Sequence, residues 1–159
     1  MAVEIERKFL VKSDAWRTLA EGKLYCQGYM LTAPGKTVRV RIVGDQGYLT
    51  IKGPSNGTTR AEFEYLIPVE DATEMLTTLC EKPLIEKKRY KIFIDDLTWE
   101  VDEFLGENQG LILAEVELEE EDQVIKLPEW IGQEVSNDSR YYNSSLVKNP
   151  YCQWSDSMS

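Results

Sequence analysis

Alternating charge marks the first stretch of the chain, where residues 4–11 read EIERKFLV. Side chains two positions apart share one face of a strand, so Glu4, Glu6 and Lys8 would point the same way. Two carboxylates and an ammonium side by side need partners. A metal ion carrying a phosphate would satisfy both charges, because hard cations bind carboxylate oxygens and lysine binds phosphate oxygens. The alternative is a strand face that lies in water.

Charged residues recur with the same spacing on later strand-like stretches. Taken singly, Arg39 and Arg41 fit a surface strand with weak ion pairs. Several separate stretches repeat the pattern, however, and stripes of arginine and lysine on separate strands suit a polyanion. The basic members are Lys8, Arg39, Arg41, Lys52, Arg60, Lys87 and Arg89, and the acidic members are Glu4, Glu6, Glu62, Glu64, Asp102, Glu115 and Glu117.

Composition narrows the chemistry that these residues can perform. The 159 residues include no histidine, which excludes Ser-His-Asp and Cys-His catalysis and histidine-bound zinc or iron. A general base would then be a carboxylate, a lysine of lowered pKa or a metal-bound hydroxide. The net charge of −10 argues against a nucleic-acid partner, although a small anion can still bind where the local charge is positive.

Chain length, cysteine content and apolar runs indicate the number of domains and the cellular location. A chain of this length fits one domain, which we place at residues 1–148, followed by a tail at 149–159 near a mouth of the site. The three cysteines are scattered, which fits a reducing cytoplasm better than a disulfide framework. Because the start of the chain lacks an apolar signal segment and no apolar run approaches transmembrane length, we expect a cytoplasmic protein without membrane contact.

The elements that must position the charged residues are mostly strands. Short turns connect them, which favours antiparallel pairing. Trp16, Trp99 and Trp130 are expected to fill an outer core, and Tyr29 shares a face with Gln27. Strands are predicted at 4–11, 24–32, 38–42, 48–52, 60–67, 85–94, 98–104 and 111–120, helices at 13–19, 70–80 and 141–148, and a turn or short helix at 128–132.

Two architectures satisfy this alternation. In a closed eight-stranded barrel the charged stripes line the interior, whereas in an open sheet they lie in solvent. We favour a mainly β (α+β) fold: a closed eight-stranded antiparallel β-barrel, or tunnel, with a charged interior and short helices packed outside. A membrane barrel is disfavoured because Arg7, Glu86 and Lys88 would face lipid.

The ordered set of motifs resembles the CYTH superfamily, the triphosphate tunnel metalloenzymes. The resemblance extends over about residues 3–147 and is greatest to the small bacterial inorganic triphosphatases. The short EIERK motif is weak alone, but the set in order is specific. Its members are Glu4-x-Glu6-x-Lys8, Arg39-Val40-Arg41, Lys52, Glu62-Phe63-Glu64, Lys87-Lys88-Arg89-Tyr90, Glu100-Val101-Asp102, Glu115-Val116-Glu117 and Asp138-Ser139-Arg140-Tyr141.

The resemblance implies a tunnel that hydrolyses a triphosphate with Mg²⁺ or Mn²⁺. Carried over by position, Glu4, Glu6, Glu115 and Glu117 would hold metal. Glu62, Glu64 and Asp102 would complete the metal shell or orient water, and Lys8 would act in catalysis as well as binding. The phosphate contacts would come from Lys8, Arg39, Arg41, Lys52, Lys87 and Arg89, with Arg140 at one mouth.

The expected function is hydrolysis of inorganic triphosphate to pyrophosphate and phosphate. Two alternatives stay open from the sequence. One is a nucleotide-processing relative, either a nucleotide or thiamine triphosphatase or an adenylate cyclase, since these share the tunnel. The other is a polyphosphate-binding module without catalysis. The expected partner is in every case a small polyanion such as tripolyphosphate.

Overall fold

A computed structural model describes residues 3–33, 35–54 and 58–154 of the chain. Within these ranges the chain forms nine strands and two α-helices, with single 3₁₀ turns between some of them. The strands are β1 Val3–Val11, β2 Gly22–Ala33, β3 Lys36–Val43, β4 Gln46–Lys52, β5 Thr59–Ile67, β6 Ile85–Ile94, β7 Leu97–Phe104, β8 Ile112–Glu117 and β9 Ile131–Glu134. The helices are α1 Val69–Thr78 and α2 Asn143–Lys148.

The first eight strands close into an antiparallel barrel, as predicted. Their order is β5-β4-β3-β2-β6-β7-β8-β1, and β5 also pairs with β1, so the sheet meets itself. Strand β1 forms this seam. Its first three residues pair with β5, Glu6 to Leu10 pair with β8, and Phe9 and Val11 pair with β9. The two edges of β1 therefore pair with three strands in all, which sets the register of Glu4, Glu6 and Lys8.

Apolar side chains of alternate parity pack on the outside of the barrel. Phe9 of β1 and Trp99 of β7 have ring centroids 5.7 Å apart, and Trp130 lies edge-on to Trp99 at 5.8 Å. Trp16 joins the same cluster from the 3₁₀ turn Ala15–Thr18 and is fully buried. The predicted outer core of three tryptophans is thus confirmed.

Helix α1 covers the outer face of β2, β3 and β4. Ala72 and Leu76 of the helix are buried against Val40 of β3. The helix approaches closely because Gly47 of β4 has no side chain, and a Cβ built there would lie 2.7 Å from the Cβ of Ala72. This packing explains why the apolar stripe of α1 coincides with a glycine on the strand beneath it.

One local prediction was confirmed in part and two were wrong. The segment at 128–132 begins with the predicted turn, in which the Ile131 N–H donates to the Pro128 carbonyl, but Ile131–Glu134 then forms β9 along the edge of β1. The last barrel strand ends at Glu117 rather than at 120, since the backbone N–H of Leu118 donates to Ile5 and the chain then turns away. The expected helix at 13–19 is one 3₁₀ turn, with Leu19 half exposed.

The C-terminal segment packs against the barrel as far as the structure describes it. Trp154 is buried, and its ring lies 5.1 Å from both Tyr141 and Tyr151. It belongs to the cluster that also contains Tyr29 of β2 and Leu146 of α2. The end of the predicted tail, at 155–159, lies outside the described residues. Among the helices that are described, none has both the length and the apolar character needed to cross a bilayer.

Candidate active site

The interior of the barrel is a cavity of about 560 Å³ with charged walls. Strand alternation brings together nearly all the residues that the sequence predicted. Asp102 lies behind this lining, in contact with Lys87 and Arg89, whereas Arg140 lies outside it. The predicted residues in the lining are Glu4, Glu6, Lys8, Arg39, Arg41, Lys52, Glu62, Glu64, Lys87, Arg89, Glu115 and Glu117.

The wall formed by β1 carries alternating ion pairs. The Glu4 carboxylate accepts hydrogen bonds from Lys52 Nζ at 3.0 and 3.1 Å. Lys8 Nζ lies 3.4 Å from Glu115 and donates to the Tyr141 carbonyl at 3.2 Å. Burial disfavours the charge of Lys8, but the carboxylate of Glu115 nearby raises its pKa above the usual value. The lysine therefore stays charged inside the cavity.

Carboxyl groups crowd one another along the same wall. Burial, followed by the charges of Glu115 and Glu4, raises the pKa of Glu6 well above its usual value. Burial and a hydrogen bond with Glu4 raise the pKa of Glu62 to about 7. Burial, with Glu100 and Glu4 nearby, also raises the pKa of Glu117. This part of the cavity is consequently short of positive charge.

The crowded carboxyls fit a divalent cation by the chemistry of their donors. Carboxylate oxygens are what hard cations such as Mg²⁺ and Mn²⁺ bind, and the elevated pKa of Glu6 records a repulsion that a bound cation would relieve. Within the described ranges, no three acidic or cysteine side chains are already arranged as a metal cage. Lys52 and Lys8 instead hold Glu4 and Glu115 in ion pairs.

Asp102 of β7 joins two cations of the neighbouring strand β6. Its carboxylate accepts from Lys87 Nζ at 2.7 Å and from Arg89 Nε and Nη2 at 2.7 and 2.9 Å. Burial raises the pKa of Asp102, but these cations hold it below the usual value. Burial lowers the pKa of Lys87 to about 7. The charge of Asp102 raises this pKa, whereas the charges of Arg89 and Arg41 lower it. The wall is therefore positively charged but poorly solvated.

Two guanidinium groups present buried N–H donors to the cavity. Arg39 Nη2 donates to Thr50 at 3.2 Å, while its buried Nε has no hydrogen-bond partner among the described residues. Arg60 also lines the cavity, and its Nε is buried without a partner in the same part of the chain. A buried donor without a partner is costly, so the protein's own groups satisfy these two guanidinium groups only in part.

Arg140 and Gln27 lie outside the cavity lining. Arg140 is half exposed and pairs with Asp138 at 2.7 Å, so the short loop between them holds its guanidinium away from the lining. Gln27 is fully buried, and its Oε1 accepts from Arg41 Nε at 2.8 Å. Burial, followed by the charges of Arg39 and Arg89, lowers the pKa of Arg41 to about 9.

Sequence reasoning missed Asn143, which lines the cavity from the start of α2. Strand parity could not have found it, because it is supplied by a helix. Arg60 did share a face with Glu62 and Glu64, and that parity was the signal for it.

Together the walls offer cationic donors for an oxyanion and carboxylates for a metal ion, an arrangement suited to transfer of a phosphoryl group to water.

Comparison with known proteins points to the same chemistry. A family model described as the CYTH domain matches residues 2–151. An inorganic triphosphatase of Acetivibrio thermocellus is 59% identical over 95% of this chain and 97% of its own. One of Nitrosomonas europaea is 38% identical over 91% and 96%. The crystal structure of an inorganic triphosphatase, 35% identical, superposes with a TM-score of 0.63 over 90% of this chain and 96% of that chain.

Proposed function

The chain belongs to the CYTH domain family, and from this premise we propose that it hydrolyses inorganic triphosphate to pyrophosphate and phosphate inside its barrel. The observation that carries the proposal is the lining of the cavity, where arginine and lysine side chains from several strands meet a group of crowded carboxyls. Tripolyphosphate is an anion with several charges along its length, so it needs cations on more than one wall. A cytoplasmic location fits this substrate, and neither nucleic acid nor membrane takes part.

Catalysis rests mainly on position and charge. Hydrolysis of a phosphoanhydride needs little covalent chemistry from the protein, so neutralisation of the phosphoryl oxygens supplies most of the rate. Because the cations come from separate strands of a closed barrel, they hold the phosphate chain at fixed points. The residues that bind phosphate oxygens are Lys8, Arg39, Arg41, Lys52, Lys87 and Arg89.

Triphosphatases of this family depend on metal ions, and here we assign Mg²⁺ or Mn²⁺. Glu4, Glu6, Glu115 and Glu117 would hold the ion. When bound, it supplies charge neutralisation and polarises the phosphoryl oxygens. Lys52 and Lys8, which pair with Glu4 and Glu115, are then free to bind phosphate oxygens instead.

Attack by water requires a group that orients it and accepts its proton. We assign this role to the Glu62 carboxylate, with Glu64 next to it on the same face, because a pKa of about 7 suits proton transfer near neutrality. Asp102 is 1% exposed and fully engaged with Lys87 and Arg89. It acts in catalysis by holding these two cations.

A substrate with an organic group is less well accommodated. Tyr25, Tyr29, Tyr48 and Tyr142 are the aromatic residues in the described lining. The cations of Arg41 and Arg89 lie 4.9 and 5.0 Å from the centre of the Tyr25 ring, and Lys8 lies 5.6 Å from that of Tyr142. Rings that already contact cations offer little surface for stacking a base, which favours a substrate made only of phosphate.

The test is to incubate the purified chain with tripolyphosphate, ATP or thiamine triphosphate, with Mg²⁺, Mn²⁺ or EDTA. We expect release of one phosphate per tripolyphosphate, loss of activity in EDTA, and slower turnover of the other two substrates. Faster hydrolysis of ATP or thiamine triphosphate, or formation of a cyclic nucleotide, would favour a nucleotide-processing enzyme. Tripolyphosphate binding without turnover in either metal would leave a binding module.

A further inference from the structure

One neutral residue at the start of α2 contacts the cationic wall of the cavity. The Oδ1 atom of Asn143 accepts hydrogen bonds from Lys87 Nζ at 3.0 Å and from Gln27 Nε2 at 3.4 Å. Gln27 accepts in turn from Arg41 Nε at 2.8 Å. We propose that Asn143 is a positioning residue that sets the orientation of Lys87 and Arg41 toward the phosphate chain. This inference rests on the proposed function and deepens it.

Burial makes these hydrogen bonds decisive for orientation. Lys87 is 1% exposed and Gln27 is fully buried, so water does not offer their polar atoms an alternative partner. An ammonium has three donors. Among the described residues, Asp102 and Asn143 accept two hydrogen bonds from Lys87, and the third donor remains for a phosphate oxygen. Fixing two donors fixes the direction of the third.

The neutral amide at this position is suited to its task. A carboxylate would pair with Lys87 and compete with phosphate for the ammonium, whereas the amide oxygen orients the ammonium without cancelling its charge. Asp102 already supplies one negative charge to this wall. The same amide oxygen also holds Gln27, whose own oxygen then faces Arg41.

The packing of α2 on the barrel fixes the position of Asn143. Asn143 is the first residue of α2, and Leu146 and Val147 of the same helix are buried with Phe104 and Leu113 of the barrel. Phe104 and Leu113 share the inward-facing parity of Asp102 and Glu115, so the helix is fixed to the inner face of the barrel, and the position of its first residue determines where the amide meets the cations.

The decisive experiment compares Asn143→Ala with Asn149→Ala, an exposed asparagine at the other end of α2. The dissociation constant of tripolyphosphate is measured by titration calorimetry in EDTA, and KM is measured with metal. Because a hydrogen bond to a charged group is lost, we expect Asn143→Ala to raise both constants about tenfold. The Asn149→Ala values should equal those of the wild type. A merely structural defect would lower the active fraction and kcat but leave KM unchanged.

A second background separates positioning from direct contact with phosphate. In a Lys87→Ala chain, Asn143→Ala should raise the dissociation constant by a clearly smaller factor, because Lys87 is a group through which Asn143 acts. Asn143→Asp is isosteric and keeps the Oδ1 acceptor. If the alanine variant does not fold, this variant still tests the inference, since its carboxylate should weaken tripolyphosphate binding by competing for Lys87.

Three results would overturn the inference: constants unchanged in Asn143→Ala and Asn143→Asp, an equal rise in the Lys87→Ala background, or an equal rise in Asn149→Ala. A wild-type chain that neither binds nor hydrolyses tripolyphosphate would instead overturn the proposed function and remove the basis of the inference with it. The calorimetric measurement in EDTA keeps the two failures distinguishable, because binding is read without turnover.

Discussion

Asp102 shows how one buried carboxylate organises the cationic wall. It is 1% exposed and holds Lys87 and Arg89 at 2.7 Å each. Asp102→Asn would leave buried Lys87 without its paired carboxylate and Arg89 with only Glu100, and we expect the free energy of unfolding to fall by about 3 kcal/mol. Urea denaturation measures this change. Glu103→Gln, one residue along on the exposed side and paired with Arg17, is the control and should change stability by less than about 1 kcal/mol.

An Asp102→Asn variant as stable as the Glu103→Gln variant would show that Lys87 and Arg89 do not depend on this carboxylate. Saturating tripolyphosphate should restore part of the lost stability in Asp102→Asn, because phosphate oxygens then supply the missing negative charge.

The lowered pKa of Lys87 predicts that tripolyphosphate binding depends on pH. Burial lowers its pKa to about 7, so in the folded chain without ligand the ammonium loses its proton as pH rises above that value. Between about 7 and its ordinary value, the folded chain binds fewer protons than the unfolded chain, and the contribution of Lys87 to stability rises with pH. Phosphate binding has the opposite trend, because it needs the charged form.

We therefore expect the dissociation constant of tripolyphosphate in EDTA to rise by up to about tenfold per pH unit above pH 7. Lys87→Arg keeps its charge over this range and controls for titration of the ligand, so its binding should depend less on pH. Parallel pH profiles of the two proteins between pH 7 and 9 would contradict the assigned titration of Lys87.

The packing of α1 on the barrel predicts an effect at the scale of the element. A methyl group added at Gly47 would meet the Cβ of Ala72 at 2.7 Å and the carbonyl of Ile67 at 3.2 Å. Helix or strand must shift, and we expect Gly47→Ala to lower the free energy of unfolding by about 1–3 kcal/mol. Gly53→Ala, where the nearest atom lies at 3.6 Å, should be nearly neutral. Thermal and urea unfolding compare the two variants, and equal stabilities would contradict this account of the helix packing.

Elements with a clear period were predictable from the sequence, and elements defined by pairing were not. Strand β6 was predicted at its observed bounds, because Lys87, Arg89 and Lys91 alternate along it as expected of a two-sided strand. Strand β9 was missed because Ile131–Glu134 is too short for a periodic pattern and exists through its pairing with β1. Barrel closure likewise depends on the contact between β1 and β5, which no local pattern encodes.

The same distinction holds within the site. Parity found Glu4, Glu6, Lys8 and the other strand residues of the lining, since one face of each strand turns inward. It could not place Asn143, which a helix supplies. The family resemblance, not parity, suggested Arg140 for a mouth, and in the structure its guanidinium pairs with Asp138 and is half exposed.

The closed barrel makes ligand binding a property of the whole molecule. Cations and carboxylates from separate strands meet in one cavity, so a bound phosphate chain links strands from several sides of the barrel. A ligand that binds only the folded chain adds about 2.7 kcal/mol of stability at a concentration one hundred times its dissociation constant. For a domain of this size, that corresponds to a rise in Tm of about 5–10 °C.

We expect tripolyphosphate at one hundred times its dissociation constant to raise Tm by about 5–10 °C in EDTA. In a Glu62→Gln variant, which should hydrolyse the ligand slowly, Mg²⁺ should raise Tm further. Glu6→Gln should retain the first rise and lose most of the second, because it removes a carboxylate proposed to hold the metal. Sodium sulfate at matched ionic strength controls for general salt effects. Differential scanning calorimetry reads all three conditions. If Mg²⁺ raises Tm equally with and without the Glu6 carboxylate, Glu6 does not hold the metal. If sulfate raises Tm as much as tripolyphosphate does, the cavity does not select a phosphate chain.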